Sequence, residues 1–420
     1  MTTVTVSLFH FLLVIAVAVC FSCSCCDGNS NVLRIESERE ALLKLKNDLI
    51  DPSNRLSSWV EGGGCCKWVG VACHNLTGHV DQLHLAAPPD EDEASERSKL
   101  GGTINPSLLH LKHLTSLDLS NNNFSNIQIP YFLGLLGSLT YLDLSFAQFQ
   151  GAIPHNLGNL SKLQYLDLRC DFYSWDMEAK SLQWVSSISS LQYLDLSGVD
   201  LYKATDWLQV TFNLSSLLEL HLYGCNLEGP IPDYWGNMPF LEIVDLSSNS
   251  LNSTMPNSLY SLDHLQSLDL SNNMLQGRLP TSLEYLCNLK ELDLSHNKIE
   301  GDISEIIHSL SSCSLDCFES LNMKNNHFFG HLTDQICQFK SLVHFSLAGN
   351  KISCSIPLSI GELSSLNFFD VSENLLNGTF PPSMGQLSNL ETLNIRQNLL
   401  EGVVSETYFS NLTKLTQFEF

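Results

Sequence analysis

Eight aspartates recur at one position of a repeated Leu-Asp-Leu-Ser-like pattern, and carboxylates so arranged invite comparison with hydrolytic enzymes. Paired carboxylates cleave glycosidic bonds, one acting as the acid and the other as base or nucleophile. Here the carboxylate returns in units of otherwise different sequence, which indicates a structural ladder at a solvent-facing strand position. The eight residues are Asp118, Asp143, Asp167, Asp195, Asp245, Asp269, Asp293 and Asp370.

Two further spacings superficially resemble metal or phosphate sites. His110 and His113 are three residues apart and Cys313 and Cys317 four apart, but neither pair has a second pair at zinc-ligand spacing. The glycine run 62–64 lacks the Lys and the Ser or Thr of a phosphate-binding loop. We therefore predict no catalytic residues, no metal site and no cofactor, and expect a protein that is not an enzyme.

A cluster of aromatic and basic residues is the candidate binding surface. Three tyrosines fall at the third position of successive repeats, and the other members fall in neighbouring rows. Tyr and Arg are favoured at binding hot spots, and stacked aromatic rings suit sugars or peptides. Chance clustering on a repeat surface is the alternative. The predicted ligand-binding residues are Tyr141, Tyr165, Arg169, Tyr193, His221 and Tyr223.

The elements that must position these residues form a repeat. Successive LxxLxL runs begin 24 to 34 residues apart, most often 24, and this period with this apolar pattern is the leucine-rich-repeat signature. The fold class that follows is an α/β solenoid, a curved stack with a parallel concave sheet. The runs begin at Val80, Leu114, Leu139, Leu163, Leu191, Leu217, Leu241, Leu265, Leu289, Phe318, Leu342, Leu366 and Leu390, with a partial unit at Leu415.

One unit, residues 265–288, shows why the repeats must stack. Leu265, Leu268 and Leu270 point inward from a short strand, and no single unit can bury that face alone. An Asn at the ninth position, here Asn273, turns the chain inward so that its amide satisfies unpaired backbone groups. Four consecutive units lack this Asn, and we expect residues 139–216 to be the least regular stretch.

The array, residues 80–420, needs caps at its apolar ends. Residues 34–79 supply an amino-terminal cap, in which Ser37 and Glu40 have capping-box spacing and predict a helix through Ile50. The sequence stops at Phe420, six residues into a unit, so we expect an incomplete array with an open end and fraying of residues 390–420.

An apolar run at residues 9–19 followed by small and polar residues predicts a signal peptide over residues 1–26. The secretory route fits the seven N-x-Ser/Thr sequons and an oxidising compartment. A formal charge of -24, from 45 acidic and 21 basic residues, argues against nucleic acid as a partner. The sequons lie at Asn75, Asn123, Asn159, Asn213, Asn252, Asn377 and Asn411.

Cys287 and Cys313 occupy comparable places on adjacent units, so we predict a disulfide between them. The segments EREALLKLKNDLIDPSNRLSSW and CCKWVGVACHNLTGHVDQLHL resemble the plant-type amino-terminal cap. The stretch LQYLDLSGVDLYKATDWLQVTFNLSSLLELHLYGCNL is similar to plant receptor-like proteins of the xylanase-receptor type. The resemblance implies a Cys66–Cys73 disulfide, and it leaves Cys65 without its usual partner because Arg34 stands where that Cys is expected. Cys25 or Cys26 is the alternative partner.

The same resemblance implies an extracellular receptor ectodomain that binds a peptide, protein or glycan elicitor in plant defence. Such receptors lack a kinase domain, lie at the outer face of the plasma membrane and signal through partner kinases, which implies a receptor-kinase co-receptor. If the chain ends at residue 420, it is secreted. The alternative function is a secreted inhibitor of microbial cell-wall-degrading enzymes, similar to polygalacturonase-inhibiting proteins, although those have about ten units and a cysteine-bearing end cap.

Overall fold

The computed structural model describes residues 36–420, except 89–92, 126, 172–175, 212, 232–234, 236–237, 280, 314–316 and 404. The predicted signal peptide lies outside the described residues. Within them the chain is an α/β solenoid, as the repeat predicts: each unit contributes a short strand to one continuous sheet and returns through a 3-10 helix or a short α-helix.

The concave face is a sheet of 15 strands in which strand order follows chain order. Its first two strands are antiparallel, and every later neighbour is parallel and in register. Equivalent positions of successive units therefore form straight rows. The strands are Val71–Cys73, Val80–His84, Ser116–Asp118, Tyr141–Asp143, Tyr165–Asp167, Tyr193–Asp195, Glu219–His221, Ile243–Asp245, Ser267–Asp269, Glu291–Asp293, Ser320–Asn322, His344–Ser346, Phe368–Asp370, Thr392–Asn394 and Gln417–Glu419.

The core runs the length of the stack between the concave sheet and the convex side. Leu265, Leu268 and Leu270 are buried together with equivalent residues of neighbouring units, as predicted. The α-helices are Glu36–Asp48, Glu93–Ser98, Trp207–Thr211 and Ile303–Leu310. The 3-10 helices are Arg55–Ser58, Cys65–Lys67, Pro106–His110, Tyr131–Leu135, His155–Asn159, Val185–Ser187, Asn257–Ser261, Thr281–Tyr285, Asp334–Gln338, Leu358–Glu362, Pro382–Gln386 and Glu406–Phe409.

The ninth-position asparagines bond the turns together, as predicted. Nδ2 of Asn273 donates to the carbonyls of Leu246, Leu270 and Ser271, at 3.0, 3.1 and 3.1 Å. Its Oδ1 accepts from the backbone N–H of Leu251 at 3.0 Å. One side chain thus satisfies four backbone groups from two units, which is why burying it is favourable.

Cys225 stands at the ninth position of one of the four units that lack Asn. Its Sγ lies 3.1 Å from the carbonyl oxygen of Leu196, a bond to the preceding unit of the kind that the asparagines make. Burial raises the pKa of the Cys225 thiol well above its usual value, so the protonated donor form is the one present. A thiol therefore replaces part of the amide's function here.

A second, lateral sheet that we did not predict flanks the concave one. Its six parallel strands follow the ninth-position Asn and come from the Asn-x-Leu-x-Gly segments of the later units. Earlier units contribute short parallel pairs, Gly151–Ala152 with Met177–Glu178 and Glu228–Gly229 with Ser250–Leu251. The six strands are Gln276–Arg278, Lys298–Asp302, His327–His331, Lys351–Cys354, Leu375–Thr379 and Leu399–Glu401.

The cap helix differs from the prediction at both ends. It begins at Glu36, so Ser37 lies within its first turn instead of capping it, and it ends at Asp48 instead of Ile50. Residues Leu49–Ile50 form a strand antiparallel to Gly101–Gly102. The carbonyl of Asp48 accepts from Thr103 N at 3.0 Å, so pairing with the first unit competes with another helical turn.

Glu38 joins this helix to the concave sheet and is 2% exposed. Its Oε2 accepts from the backbone N–H of Val80 at 2.8 Å, and its Oε1 lies 2.9 Å from Nδ1 of His79. The carboxylate therefore satisfies the first residue of the strand Val80–His84. The sequence pattern gave no sign of this buried acid.

The described residues form two disulfides, Cys66–Cys73 in the cap and Cys287–Cys313 between adjacent units, while Cys25 and Cys26 lie outside the described residues. The Cys65 sulfur lies within 4.8 Å of both cap sulfurs, but as a buried thiol whose pKa is raised by desolvation. With two of the three sulfurs oxidised, this cluster offers one metal ligand atom, which suits a structural cross-link better than a metal.

Candidate ligand-binding face

The three predicted tyrosines form one stack across three strands. Tyr141 pairs with Tyr165 and Tyr165 with Tyr193 in the register of the parallel sheet. Their ring centroids lie 4.3 and 4.2 Å apart, with interplanar angles of 10° and 9°. The stack follows from repeat geometry, because in-register parallel strands bring identical positions about 4.8 Å apart.

Stacking occupies the ring faces. Both faces of Tyr165 are covered by its neighbours, and Tyr193, also approached by the His221 ring at 5.4 Å, is only 8% exposed. A ligand can therefore reach mainly ring edges at the centre of the row. This geometry suits hydrogen bonding and edge contacts with a polypeptide better than stacking of a sugar on Tyr165.

Each tyrosine is oriented by the aspartate two residues later on its own strand. The hydroxyls of Tyr141, Tyr165 and Tyr193 donate to Oδ2 of Asp143, Asp167 and Asp195 at 3.2, 3.3 and 3.3 Å. Burial and these carboxylates raise the pKa of each phenol, so the hydroxyls remain protonated donors.

The prediction that the aspartate ladder faces solvent was wrong for Asp143, Asp167, Asp195 and Asp370, which are buried. Their Oδ1 atoms accept from the backbone N–H two residues later, as in the 2.9 Å bond from Ser145 to Asp143. The strand ends there, so the carboxylate satisfies an N–H that has left the sheet. The structural role predicted for the ladder is thus a turn-capping one.

Arg169 supplies the cation that the central carboxylates need. Its Nε lies 3.0 Å from Oδ2 of Asp167 and 3.1 Å from Oδ2 of Asp195, and its Nη2 lies 2.8 Å from Oδ2 of Asp167. Burial opposes the charge of Arg169, but these two carboxylates outweigh it and raise the pKa of the guanidinium. One arginine thus neutralises part of two adjacent strands.

Charge remains in excess along the ladder. Burial, with the charges of Asp167 and Asp118, raises the pKa of Asp143 to about 7. Burial and Asp167 raise the pKa of Asp195 to about 6, although His221 and Arg169 act in the opposite direction. These carboxyls titrate in the mildly acidic to neutral range, so the charge of the face depends on pH.

His221 continues the ladder on the next strand and lies 3.4 Å from Oε2 of Glu219. Burial disfavours its charged form, but Glu219, Asp195 and Asp245 outweigh burial and raise the pKa of the imidazole. Tyr223 lies two residues further, half-buried. The structure therefore places all six predicted residues on four successive strands or the turns that follow them, from Tyr141 to Tyr223.

Phe146 belongs to this face and was missed from the sequence. It is 45% exposed, and the guanidinium carbon of Arg169 lies 5.6 Å from the centroid of its ring. Its φ is 51°, in the left-handed region where most repeats here place Asn, Gly, Ser or Gln. The signal in the sequence that could have found Phe146 is a bulky residue at the eighth position of its unit.

The seven predicted sequon asparagines avoid the concave strands. All seven are exposed, and they lie in the cap, on the lateral side or on the convex side. Glycans at these asparagines would leave the concave face open.

The remaining sequence candidates do not form a site. His110 Nδ1 lies 3.0 Å from the Ser107 carbonyl oxygen, and the His113 ring instead packs against the His79 ring at 4.0 Å. Cys313 is held in its disulfide, with the Cys317 sulfur 3.6 Å from the carbonyl oxygen of Cys287. Neither spacing is a ligand pair in the folded chain.

Comparison with known proteins shows what the chain resembles. Residues 35–74 match a leucine-rich-repeat N-terminal domain, and residues 112–170 and 239–299 match a leucine-rich-repeat model, with a second repeat model at 216–238 and 288–315. Receptor-like protein EIX1 of Solanum lycopersicum is 34% identical over 232 residues, which is 54% of this chain and 21% of that protein. The chain thus contains a leucine-rich-repeat N-terminal domain and leucine-rich repeats, and it is similar to plant receptor-like proteins.

Receptor-like protein EIX2 of the same species is 44% identical to this chain over 126 residues, 30% of this chain and 12% of EIX2. The chain therefore spans about a fifth or less of the length of these two relatives. The leucine-rich-repeat family and its ectodomain folds are typically non-enzymatic. Among the described residues, no helix has the length and apolarity needed to cross a bilayer.

Solved structures of plant receptor ectodomains have the same fold as this chain. The ectodomain of the Arabidopsis thaliana membrane receptor kinase GASSHO1/SCHENGEN3, determined in complex with CASPARIAN STRIP INTEGRITY FACTOR 2, superposes with a TM-score of 0.65 at 28% identity, over 89% of this chain and 49% of that one. The plant peptide hormone receptor RGFR1, in complex with RGF2, gives 0.65 at 25% identity, over 84% and 60%. The chain thus shares the leucine-rich-repeat solenoid fold of these two receptor ectodomains.

Proposed function

We propose that this chain is part of a plant receptor-like protein. It acts as an extracellular, non-enzymatic recognition module that binds a peptide or protein elicitor in plant defence and signals through partner kinases. The predicted signal peptide, the glycosylation of the seven sequons and location at the outer face of the plasma membrane are part of the proposal. The observation that carries it is the face formed by Phe146, Tyr165, Arg169, Tyr193 and Tyr223, which lies on an open sheet free of sequons.

The local chemistry supports a polypeptide ligand. Aromatic edges, buried carboxylates and a partly exposed guanidinium offer both hydrogen bonds and apolar contact, which is the composition of protein-binding hot spots. The solved ectodomains that share this architecture hold peptide ligands in their own structures. A glycan ligand is the other outcome that the test below distinguishes.

The test compares a concave double variant with a convex control. The secreted chain is selected against a random-peptide display library, and a fungal xylanase and xylan oligosaccharides serve as defined protein and glycan probes. Tyr165→Ala with Tyr193→Ala should weaken binding of the selected peptides or the xylanase by about tenfold or more. Tyr131→Ala on the convex 3-10 helix, where the ring is exposed, should leave binding unchanged.

Equal binding by the wild type and the concave double variant would remove the proposed face. Binding of the oligosaccharides alone would replace a polypeptide ligand with a glycan. Inhibition of a fungal polygalacturonase by the chain, with no effect of the tyrosine changes on any probe, would favour the secreted inhibitor instead.

A further inference from the structure

A groove of about 580 Å³ lies on the lateral side, away from the candidate ligand-binding face. It is found where the lateral sheet is interrupted, between the pair that ends with Ser250–Leu251 and the six-stranded sheet that begins at Gln276–Arg278. Four successive units contribute to its lining, so it crosses the stack and does not lie within one repeat. We call it the Asn252 groove, after the sequon asparagine in its wall.

The Asn252 groove has two partly exposed apolar side chains in its lining. Tyr202, on the first of the four units, is 52% exposed, and Met274, on the fourth, is 40% exposed. Neither belongs to the concave row. Two large apolar side chains on either side of one groove indicate an amphipathic occupant that lies between them.

The floor and rim between these residues are polar and open. Glu228 and Thr205 are exposed and can accept or donate hydrogen bonds to an occupant. Gly229 forms part of the floor with a φ of 90°, and a Cβ added there would meet nothing within 4 Å. The groove therefore combines hydrogen-bonding groups at its rim with free space at its centre.

Asn252 lines the same groove and begins the sequon Asn252-Ser253-Thr254. Its side chain is exposed, while its backbone N–H donates to the Gly229 carbonyl at 3.1 Å. A sugar joined to Asn252 thus begins at a fixed point beside the groove floor. Attachment also raises its effective concentration there to a level that no free ligand reaches.

We propose that the N-linked glycan on Asn252 folds back into the Asn252 groove, so that its N-acetylglucosamine core is a bound structural ligand of the lateral face. N-acetylglucosamine presents apolar C–H faces and an acetyl methyl group together with hydroxyl and amide groups. The apolar parts suit Tyr202 and Met274, and the polar parts suit Glu228 and Thr205. The stack rises roughly 5 Å per unit, so a two-sugar core can reach from the unit of Asn252 toward that of Tyr202.

The test measures how well the folded protein protects this glycan. The full chain is secreted from a host that retains high-mannose glycans, and site-resolved mass spectrometry follows their removal by endoglycosidase H without denaturation. Asn159, exposed at the end of the convex 3-10 helix His155–Asn159, is the matched control sequon. We expect the Asn252 glycan to be cleaved about tenfold more slowly than the Asn159 glycan, since an occupied groove restricts access.

Variants separate groove contacts from the attachment itself. Tyr202→Ala with Met274→Ala changes only exposed side chains and should bring the Asn252 cleavage rate close to that of Asn159. Thr254→Ala removes the sequon without altering Asn252, whereas Thr254→Ser keeps it. Hydrogen exchange at residues 228–229 and 250–252 should therefore increase in Thr254→Ala and stay unchanged in Thr254→Ser.

Three results would overturn the proposal: equal cleavage rates at Asn252 and Asn159 in the wild type, no effect of the double variant, or an unglycosylated Asn252. The proposal rests on the glycosylation that belongs to the proposed function, but not on a ligand for the concave face. The tyrosine variants that test the proposed function leave the Asn252 groove intact, so the two can fail separately.

Discussion

The Nε atom of Arg169 lies 3.1 Å from Oδ2 of Asp195, which belongs to the next strand of the concave sheet. The same guanidinium contacts Asp167 on its own strand, so one cation links two carboxylates that are almost completely buried. This bridge joins two of the irregular units, and it also holds the guanidinium beside the exposed ring of Phe146.

Removing this cation should destabilise the fold. Arg169→Ala leaves Asp167 and Asp195 buried without a positive partner, and we expect a loss of about 2–3 kcal/mol in the free energy of unfolding. Arg396→Ala is the matched control, because that arginine is half exposed beside Glu373 and Glu419, and it should cost about 0.5 kcal/mol or less. Denaturant unfolding measures both, and equal effects would contradict the bridge.

Stability should rise as the pH falls from about 8 to about 5. Burial, with the charges of Asp245 and Asp293, raises the pKa of Asp269 to about 7, above its value of about 3.9 in the unfolded chain. Between these two values the folded state binds more protons, so the stability contributed by Asp269 is complete below pH 4 and is lost as the pH rises through 7.

Asp269→Asn should therefore increase the melting temperature at pH 8 and reduce the pH dependence. The amide keeps an acceptor for the backbone N–H of Ser271 but removes a charge between two others. A gain on the order of 2 kcal/mol at pH 8 is expected, falling toward zero at pH 4. Asp263→Asn, on an exposed turn, is the control, and an identical pH profile in the two variants would contradict the assignment.

Phe146 should lower the stability of the folded chain. Its φ of 51° is unfavourable for an aromatic residue, while Asn121 holds the equivalent position of the preceding unit at 56° without that penalty. Phe146→Asn should stabilise the chain by about 0.5–1 kcal/mol, and the reciprocal Asn121→Phe should destabilise it by a similar amount. Thermal unfolding of the pair checks this, and a clear loss of stability in Phe146→Asn would show that packing against Arg169 dominates.

The ninth-position asparagines should stabilise the units on either side of them. Asn273→Ala leaves the N–H of Leu251 without an acceptor and removes one of the two donors to each of three carbonyls, so we expect a loss of about 1–3 kcal/mol. Asn389→Ala removes two exposed hydrogen bonds, one to the Ser364 carbonyl and one from Lys414 Nζ, and should cost less than about 1 kcal/mol. Urea unfolding distinguishes them, and hydrogen exchange should increase first in the units on either side of Asn273.

Glu38 should control attachment of the cap. Glu38→Ala leaves the N–H of Val80 buried without an acceptor, which should cost about 2–3 kcal/mol and increase hydrogen exchange over residues 80–84. Glu38→Gln keeps a neutral acceptor and should cost about 1 kcal/mol. If both variants exchange like the wild type, the cap is held by its apolar contacts alone.

Much of the fold could be predicted because the same spacing of residues recurs in successive units. The spacing of Leu265, Leu268 and Leu270 returns throughout the array, and Asn273 recurs at a fixed distance from them, so the pattern predicts the strand, the turn and the core together. The helix end at Asp48 could not be predicted in this way. It depends on pairing with Gly101–Gly102, more than 50 residues later, which no local propensity reports.

The candidate binding face shows the same division. The spacing of Tyr141, Tyr165 and Tyr193 predicted one row, because identical positions of in-register repeats must align. That the rings stack face to face, that Arg169 reaches the next strand and that Phe146 joins them are results of side-chain contacts between units. The burial of the aspartates likewise depends on the neighbouring strands that cover them.

The sequence alone determined the repeat, the cap, the two disulfides and the resemblance to plant receptors, since each is a periodicity or a motif within a short stretch of chain. Only the tertiary structure decided which carboxylates are buried, which aromatic faces are free and where the lateral sheet opens into the Asn252 groove. Those properties belong to the spaces between units. They are set by distances and by desolvation across residues far apart in the chain, and a pattern read along one strand does not contain them.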